Sequence, residues 1–165
     1  MIGSSGPRAV LVSPARCADR ASFVNASASA APAANSFERR AFELVNDERR
    51  ARGQQPFVWD ADLASLARQH SENMARQNFF AHAGPDGLDT ADRAAVGGLC
   101  GWRAIAENIA YNQGFDDPAG FAVERWMVSQ KHRDNILRAA FTHAGLGVSR
   151  APDGRIFFTQ VFVTR

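Results

Sequence analysis

The C-terminal stretch AGLGVSRAPDGRIFFTQVFVTR, residues 144–165, constrains the fold more than any other part of the sequence. Two largely apolar runs are joined by Ala-Pro-Asp-Gly, which is typical turn chemistry. Apolar runs on either side of such a turn predict a β-hairpin. The chain therefore has to build an antiparallel sheet around this hairpin.

Helical periodicity precedes the hairpin in two N-terminal segments. Residues 36–53 predict a helix that is capped by Ser36 and ends at Gly53. Residues 60–78 predict a second helix, with Asp60 or Asp62 as its cap. Both segments carry their apolar residues on one face, so each helix is expected to pack against a core.

A third helix is predicted over residues 116–130, with Asp117 as cap and Pro118 in its first turn. TADRAAV predicts a short helix, whereas WRAIAENIAYN fits either a strand or a helix. Helices segregated from an antiparallel hairpin predict an α+β domain.

Composition limits the domain count and the classes of partner. The chain has 165 residues, of which 45% are hydrophobic and 22% charged, and a formal net charge of +2. These values fit one soluble domain and give no case for nucleic acid or an anionic membrane as the main partner. No stretch is long and apolar enough for a transmembrane segment. We assign residues 37–165 to the domain and residues 1–36 to a disordered tail or linker, because residues 21–36 are rich in Ala, Ser, Asn and Pro and lack an apolar period.

The N-terminal sequence and the two cysteines each leave alternatives open. MIGSSGPRAVLV followed by small residues resembles the remnant of an export signal, although its apolar run is short. Cys17 and Cys100, the two cysteines, form either one disulfide in an oxidising compartment or two separate thiols.

Glu107, in AENIA, is the acidic residue with the most apolar surroundings. A buried carboxylate is costly unless it is paired. His82, in FFAHAG, and His132, in SQKHRDNIL, are the predicted partners. His70 lies on the apolar stripe of the second helix and His143 precedes the hairpin, so both are interpreted as packed, hydrogen-bonded histidines.

Three uses remain open for His82, Glu107 and His132. The three side chains could hold zinc or another divalent ion, or an imidazole–carboxylate pair could act as a general base without metal. The third alternative is a polar network that only stabilises the fold. A Ser129–His132 nucleophile pair is a weaker hypothesis, since no nucleophile motif surrounds the serine.

Five motifs in series resemble one known family. LVNDERRARG, LASLARQHSENMARQNFFAHAGPDG, AENIA, ERWMVSQKHRDNIL and GLGVSRAPDGRIFFTQVFV together look like a bacterial member of the CAP superfamily, named for cysteine-rich secretory, antigen 5 and pathogenesis-related proteins. The resemblance covers residues 37–165.

The resemblance implies a three-layer α-β-α sandwich with a central antiparallel sheet, outside the cell or in its envelope. It also implies a cleft with two histidines and two glutamates, which binds zinc in some members. His82 and Glu107 match half of this tetrad, while Ser129 and Phe157 stand where its other glutamate and histidine would be. His132, in an element resembling the bacterial SPGHRxNIL motif, is the candidate that fills the gap.

We therefore expect a secreted or envelope-associated monomer that binds a lipid, peptide or cell-wall fragment in a His/Glu-lined cleft. A metal-assisted hydrolase using the same residues, with zinc as the cofactor, is the alternative. The predicted catalytic or metal-binding residues are His82, Glu107 and His132, and the additional predicted binding residues are Ser129, Glu124, Asn108 and Gln160. Aromatic residues are expected to surround the three: Phe80, Trp102, Tyr111, Trp126 and Phe158.

Overall fold

The computed structural model describes residues 10–11 and 34–165. Of the predicted export remnant, residues 1–12, only Val10 and Leu11 are described, and Cys17 lies outside the described residues. Cys100 is disulfide-bonded. The helices are α1 (Ser36–Arg50), α2 (Ala61–Gln77), α3 (Thr90–Val96), α4 (Pro118–Val128) and α5 (Gln130–Leu137). The strands are β1 (Val10–Leu11), β2 (Val58–Trp59), β3 (Ala104–Asn112), β4 (His143–Arg150) and β5 (Ile156–Thr164).

The strands form one sheet in the order β1-β3-β5-β4-β2. The predicted hairpin is confirmed as β4 and β5, which pair antiparallel from His143 opposite Val163 to Arg150 opposite Ile156. The sheet is antiparallel except at its β2 edge, because β2 runs parallel to β4. At the other edge β1, which lies in the predicted tail, pairs with the first two residues of β3.

Helices cover both faces of the sheet, which confirms the α+β sandwich. On one face, α1, α4 and α5 pack on the even-numbered residues of β3 and β5, such as Ala106 and Phe158. On the other face, α2 and α3 pack on odd-numbered residues such as Ile105, Ile109 and Val161. Side chains alternate between the faces along each strand, so neighbours on β3 point into different layers.

Capping confirms two of the predicted helix starts and corrects one. Asp60 caps α2 through the backbone N–H groups of Asp62 and Leu63, and Asp117 caps α4. The cap of α1 is Asn35 rather than the predicted Ser36, because Asn35 and Glu38 form a reciprocal capping box. The prediction failed because Ser36 is also a good capping residue. The position of Glu38 decides for Asn35, because a capping box places the glutamate three residues after the cap.

Two glycines of β4 let α2 lie directly against the sheet. A Cβ added at Gly147 would come within 2.0 Å of the Arg68 backbone nitrogen and 2.3 Å of the Ala67 carbonyl carbon. A Cβ at Gly145 would meet Ala64 N at 2.1 Å. These contacts are with helix backbone, which cannot move aside as a flexible side chain would.

Gly147→Ala is therefore expected to lower the free energy of unfolding by about 3 kcal/mol or more, because α2 has to move off the sheet. Chemical denaturation measures this loss. Ser149→Ala, on the same strand, is the matched control and should change stability by less than about 1 kcal/mol. A Gly147→Ala protein as stable as the wild type would show that the close packing of α2 on β4 is wrong.

Candidate functional site

Glu107 lies at the centre of a buried polar cluster between β3 and the layer of α2 and α3. The residue is 5% exposed, and the neighbouring odd-numbered positions of β3 are Ile105 and Ile109, both in the core. The segment, which fitted either a strand or a helix from its sequence, is a strand fully paired with β5. Alternation along this strand directs the Glu107 side chain toward α2 and α3.

The loop between α2 and α3 brings His82 to this carboxylate. The helix α2 ends at Asn78 in the left-handed conformation (φ 52°), which redirects the chain. His82 Nδ1 then lies 2.9 Å from Glu107 Oε1. The His82 side chain is 20% exposed, compared with 2% for the Glu107 side chain. The predicted pairing of these two residues is present, and His82 is its more accessible member.

Arg93 on α3 is the second partner of Glu107, and the sequence analysis did not identify it. Its Nη2 donates to Glu107 Oε2 at 2.5 Å. Its Nη1 donates to the carbonyl oxygens of His82 at 2.7 Å and Leu88 at 3.0 Å. One buried guanidinium thus neutralises the carboxylate and also holds the backbone of the histidine loop.

His70 on α2 is the third group beside Glu107. As predicted, it is a packed histidine with a hydrogen bond: it is 1% exposed and its Nε2 lies 2.9 Å from the carbonyl oxygen of Ala81, to which it donates. The same nitrogen lies 3.9 Å from Glu107 Oε1. Burial lowers the pKa of His70 more than the nearby Glu107 charge raises it. The neutral ring therefore anchors the loop next to His82.

Glu107 is ionised despite its burial. Burial alone would raise the pKa of Glu107, but the His82 hydrogen bond and the electrostatic interactions with His70, Arg93 and His82 outweigh it. The resulting pKa is below the ordinary value for a glutamate. The site is therefore a charged cluster, and its carboxylate is held by donors from α3 and from the loop.

His132 lies on α5, at the side of β3, and does not pair directly with Glu107. Within the described residues, the ion pairs of Glu107 are with His70, His82 and Arg93. The link between α5 and β3 runs through the backbone: Asn108 Nδ2 donates to the carbonyl oxygen of His132 at 3.1 Å. The His132 ring is near enough to His82 for a charge on one to affect the other.

His132 is a neutral, buried ring. Its pKa is lowered from 6.5 to about 4, first by burial and then by the charges of His82 and Lys131. The residue is 5% exposed, and its Nδ1 is buried without a hydrogen-bond partner. A direct role of His132 in the cluster remains a prediction, since the structure links it to His82 and not to the acid.

Four other predicted binding residues lie away from the Glu107 side chain. Asn108 and Gln160 are fully buried on the opposite face of the sheet, where Asn108 bonds to Asn135. Glu124 is exposed on α4. Ser129 begins α5 without making a side-chain cap, and the structure records no hydrogen bond between Ser129 and His132 within its described residues. Their binding roles remain predictions.

The predicted aromatic surroundings of the site divide between the two faces. Phe80 and Tyr111 are partly buried beside α2 and contact each other edge to face, with ring centroids 4.9 Å apart. Trp126 and Phe158 are fully buried core residues on the far face of the sheet, so they cannot line a cleft at Glu107. The prediction placed them wrongly because linear sequence does not show which layer an aromatic residue enters.

A divalent metal fits the cluster poorly. Both oxygens of Glu107 already accept hydrogen bonds, and Arg93 lies 2.5 Å from Oε2. A zinc ion bound to that oxygen would come within about 4.5 Å of the guanidinium, and a repulsion of about 7 kcal/mol would follow at an effective dielectric of about 20. No group of three or more His, Cys, Asp or Glu among the described residues has metal-binding geometry. Zinc binding thus remains a prediction.

Two cavities formed by described residues lie away from the Glu107 cluster. One of about 600 Å³ lies along the outer face of α2 and includes Arg68, Glu72 and Cys100. Another of about 230 Å³ lies between α1 and β2 and includes Phe42 and Trp59. Neither contains His82, Glu107 or His132, so a ligand cleft at these residues remains a prediction.

Arg93 could have been identified from its position in TADRAAV. Arg93 is one turn after Thr90 and next to Ala94, and all three face the core from α3. A charged residue on the inner face of a short helix requires a buried partner of opposite charge, and the buried Glu107 likewise requires a cation. The difficulty is that a seven-residue helix has too few turns to define its inner face from sequence.

Glu107→Gln is expected to destabilise the fold by about 3–5 kcal/mol, because it leaves the Arg93 guanidinium buried without a counter-ion. Urea denaturation measures the change. The matched control is Glu72→Gln, whose carboxylate is exposed and lies 3.8 Å from Arg76 on the same helix. Its effect should be at most about 0.5 kcal/mol. Equal stability of Glu107→Gln and wild type would contradict the buried ion pair.

Acid should weaken the fold through His132. The unfolded chain binds a proton at this histidine near pH 6.5, whereas the folded chain does so only near pH 4. The unfolded state therefore holds more protons between these values, and stability falls as the pH is lowered, by up to about 3 kcal/mol from this residue. His132→Asn should reduce this dependence and leave the part due to His70. An NMR titration showing that His132 protonates near pH 6.5 would refute this interpretation.

Comparison with known proteins places the chain in a family. The model of the cysteine-rich secretory protein family, CAP, matches residues 42–162. Two Bacillus subtilis (strain 168) proteins are similar: the uncharacterized membrane protein YlbC, 36% identical over 128 residues, and the uncharacterized protein YkwD, 34% identical over 139 residues. These alignments cover 78% and 84% of this chain but only 34% and 51% of the two relatives.

A solved structure supports the same assignment. The crystal structure of an extracellular protein containing an SCP domain from Bacillus anthracis str. Ames matches with a TM-score of 0.68 and 30% sequence identity. The match covers 78% of this chain and 40% of that one. Within the described residues, no helix has the length and apolar character needed to cross a membrane. Because the family model covers most of the chain, and the fold agrees, this chain belongs to the cysteine-rich secretory protein (CAP) family.

Proposed function

We propose that this chain is a CAP domain of the cell envelope or its exterior that binds a cell-wall fragment at the surface around His82. The ligand would contact the partly exposed imidazole and the polar backbone of the loop over residues 79–88. The buried residues Glu107, Arg93 and His70 would not contact the ligand but would fix the position of this ring.

The observation that carries the proposal is the placement of His82 on a buried charged cluster. A buried ion pair is often no more stabilising than apolar residues of the same volume, so stability alone is a poor reason to have one. Here the ion pair of Glu107 and Arg93 orients one imidazole, whose side chain is 20% exposed. Ionisable groups with perturbed pKa values, such as Glu107 and His70, which lie beside this ring, are concentrated at functional sites.

Polarity favours a cell-wall fragment over the lipid alternative. Glu107 contacts the His82 ring through a carboxylate oxygen, and Arg93 bonds to the His82 backbone carbonyl. Charged and polar groups of this kind suit the amides and hydroxyls of a glycopeptide. A lipid chain needs an apolar cavity of about 300 Å³ or more. The cavity of about 600 Å³ along α2 is lined mainly by polar and charged side chains such as Asp62, Arg68 and Glu72. The apolar groove beside Trp59 encloses about 230 Å³ and lies at a different edge of the sheet.

Location outside the cytoplasm is supported by one relative. The Bacillus anthracis protein with the similar SCP domain is described as extracellular. The disulfide at Cys100 is also the state expected in an oxidising compartment. One Bacillus subtilis relative is named a membrane protein, and this chain spans only a third of it, so the proposal concerns the domain alone.

Hydrolysis of the bound fragment is the second candidate function. It is favoured by the 2.9 Å contact between His82 Nδ1 and Glu107 Oε1, since a carboxylate on one ring nitrogen prepares the other, Nε2, to accept a proton. In this mechanism His82 Nε2 takes a proton from water as the water attacks a peptide carbonyl carbon of the fragment, and the imidazolium then gives that proton to the leaving amine as the C–N bond breaks. Glu107 stabilises the imidazolium without becoming protonated. The resulting reaction would need no metal ion.

Soluble muropeptides should bind the wild-type protein in calorimetry, and His82→Gln should weaken this binding at least about tenfold, or about 1.4 kcal/mol. The variant removes the imidazole at a partly exposed position, so the fold should persist. His143→Gln is the matched control, because His143 is a surface histidine bonded to Thr142. Micellar lipid and free peptides, tested in parallel, separate the three ligand classes.

Muropeptide binding that is unchanged in His82→Gln would contradict the proposed site. Binding of lipid or free peptide alone would contradict the choice of ligand. Hydrolysis is tested separately by incubating purified cell walls with wild type and His82→Gln in EDTA. Release of fragments by the wild type alone would support the second candidate, and its absence with intact binding would reject it.

A further inference from the structure

We propose that Arg93 is the built-in cation of this site: its guanidinium occupies the place beside Glu107 that a metal ion would need, so the cluster of His70, His82 and Glu107 excludes divalent metals. The resemblance to zinc-binding CAP members implies a metal at such a cluster. The contacts of Glu107 in this chain instead favour a cluster without a metal ion.

Both oxygens of Glu107 already accept a hydrogen bond. Oε2 accepts from Arg93 Nη2 at 2.5 Å and Oε1 accepts from His82 Nδ1 at 2.9 Å. A zinc ion on either oxygen would have to share that oxygen with a donor, and on Oε2 it would lie beside the Arg93 guanidinium. The charge of the carboxylate is also already neutralised, which removes the electrostatic attraction for a cation.

The two histidines face Glu107 with nitrogens that carry protons. His82 Nδ1 donates to the carboxylate, and His70 Nε2, the nitrogen 3.9 Å from Oε1, donates to the carbonyl oxygen of Ala81. A protonated ring nitrogen cannot bind a metal. A metal bound between these two nitrogens and Glu107 would therefore require both rings to change tautomer or turn, and the loop bond to Ala81 would be lost.

Arg93 cannot easily leave its position, because it is tied to the loop as well as to the acid. Its remaining bonds are to the carbonyl oxygens of His82 and Leu88 and, at 3.3 Å, to the Thr90 hydroxyl. The side chain is 8% exposed. Displacement by a metal would break the loop backbone contacts that hold His82, so the exclusion is a property of the folded loop.

Zinc calorimetry on the disulfide-intact protein tests this inference. The wild type should bind ZnCl₂ only weakly, and His82→Gln should not change that weak binding. Arg93→Met keeps the length of the side chain and removes its charge, so it should bind ZnCl₂ at least about tenfold more tightly than the wild type. Arg76→Met, on the exposed face of α2, is the matched control and should bind as the wild type does.

Tight zinc binding by the wild type that His82→Gln abolishes would overturn the inference. A folded Arg93→Met protein that binds zinc no better than the wild type would overturn it as well. Circular dichroism establishes whether Arg93→Met folds, and if it does not, the comparison of wild type with His82→Gln decides the question. Ligand binding does not enter this test, so its failure would leave the proposed cell-wall function to be judged on muropeptide binding.

Discussion

The ionised carboxylate of Glu107, placed on a buried strand between two isoleucines, requires compensation, and the structure supplies it from three segments of the chain. Arg93 comes from α3, His70 from α2 and His82 from the loop that joins these helices. Because Arg93 and His70 also bond to the loop backbone, the acid organises the conformation of residues 79–88 as well as its own neighbourhood. The exposure of His82 follows from this arrangement.

The contact between His82 and Glu107 could be predicted because it follows from a local physical need. Glu107 stands among apolar residues, so it had to be paired, and His82 was a polar residue in a similarly apolar stretch. Arg93 was missed because the short helix α3 reveals little periodicity. His70 was correctly interpreted as a packed histidine, but its second contact, with Glu107, depends on how α2 lies on the sheet.

In the fold as well, features set by local sequence could be predicted, whereas features set by tertiary packing could not. The hairpin β4–β5 and the helices α1, α2 and α4 follow from local patterns, because turn residues and apolar periodicity act over a few positions. The parallel pairing of β2 with β4 and the direct packing of α2 on Gly145 and Gly147 are tertiary features. A glycine in a strand sequence indicates close approach only in general terms, and the element that approaches becomes known from the assembled layers.

The state of the ring nitrogens tests the central claim most directly, because the account requires a defined proton at each histidine beside Glu107. Long-range ¹H–¹⁵N NMR of the histidine rings at neutral pH reports these protons. The account predicts a proton on Nδ1 of His82, directed at Glu107, and on Nε2 of His70, directed at Ala81. A His82 ring that carries its proton on Nε2 alone would contradict it, since Nδ1 could then not donate to an ionised Glu107.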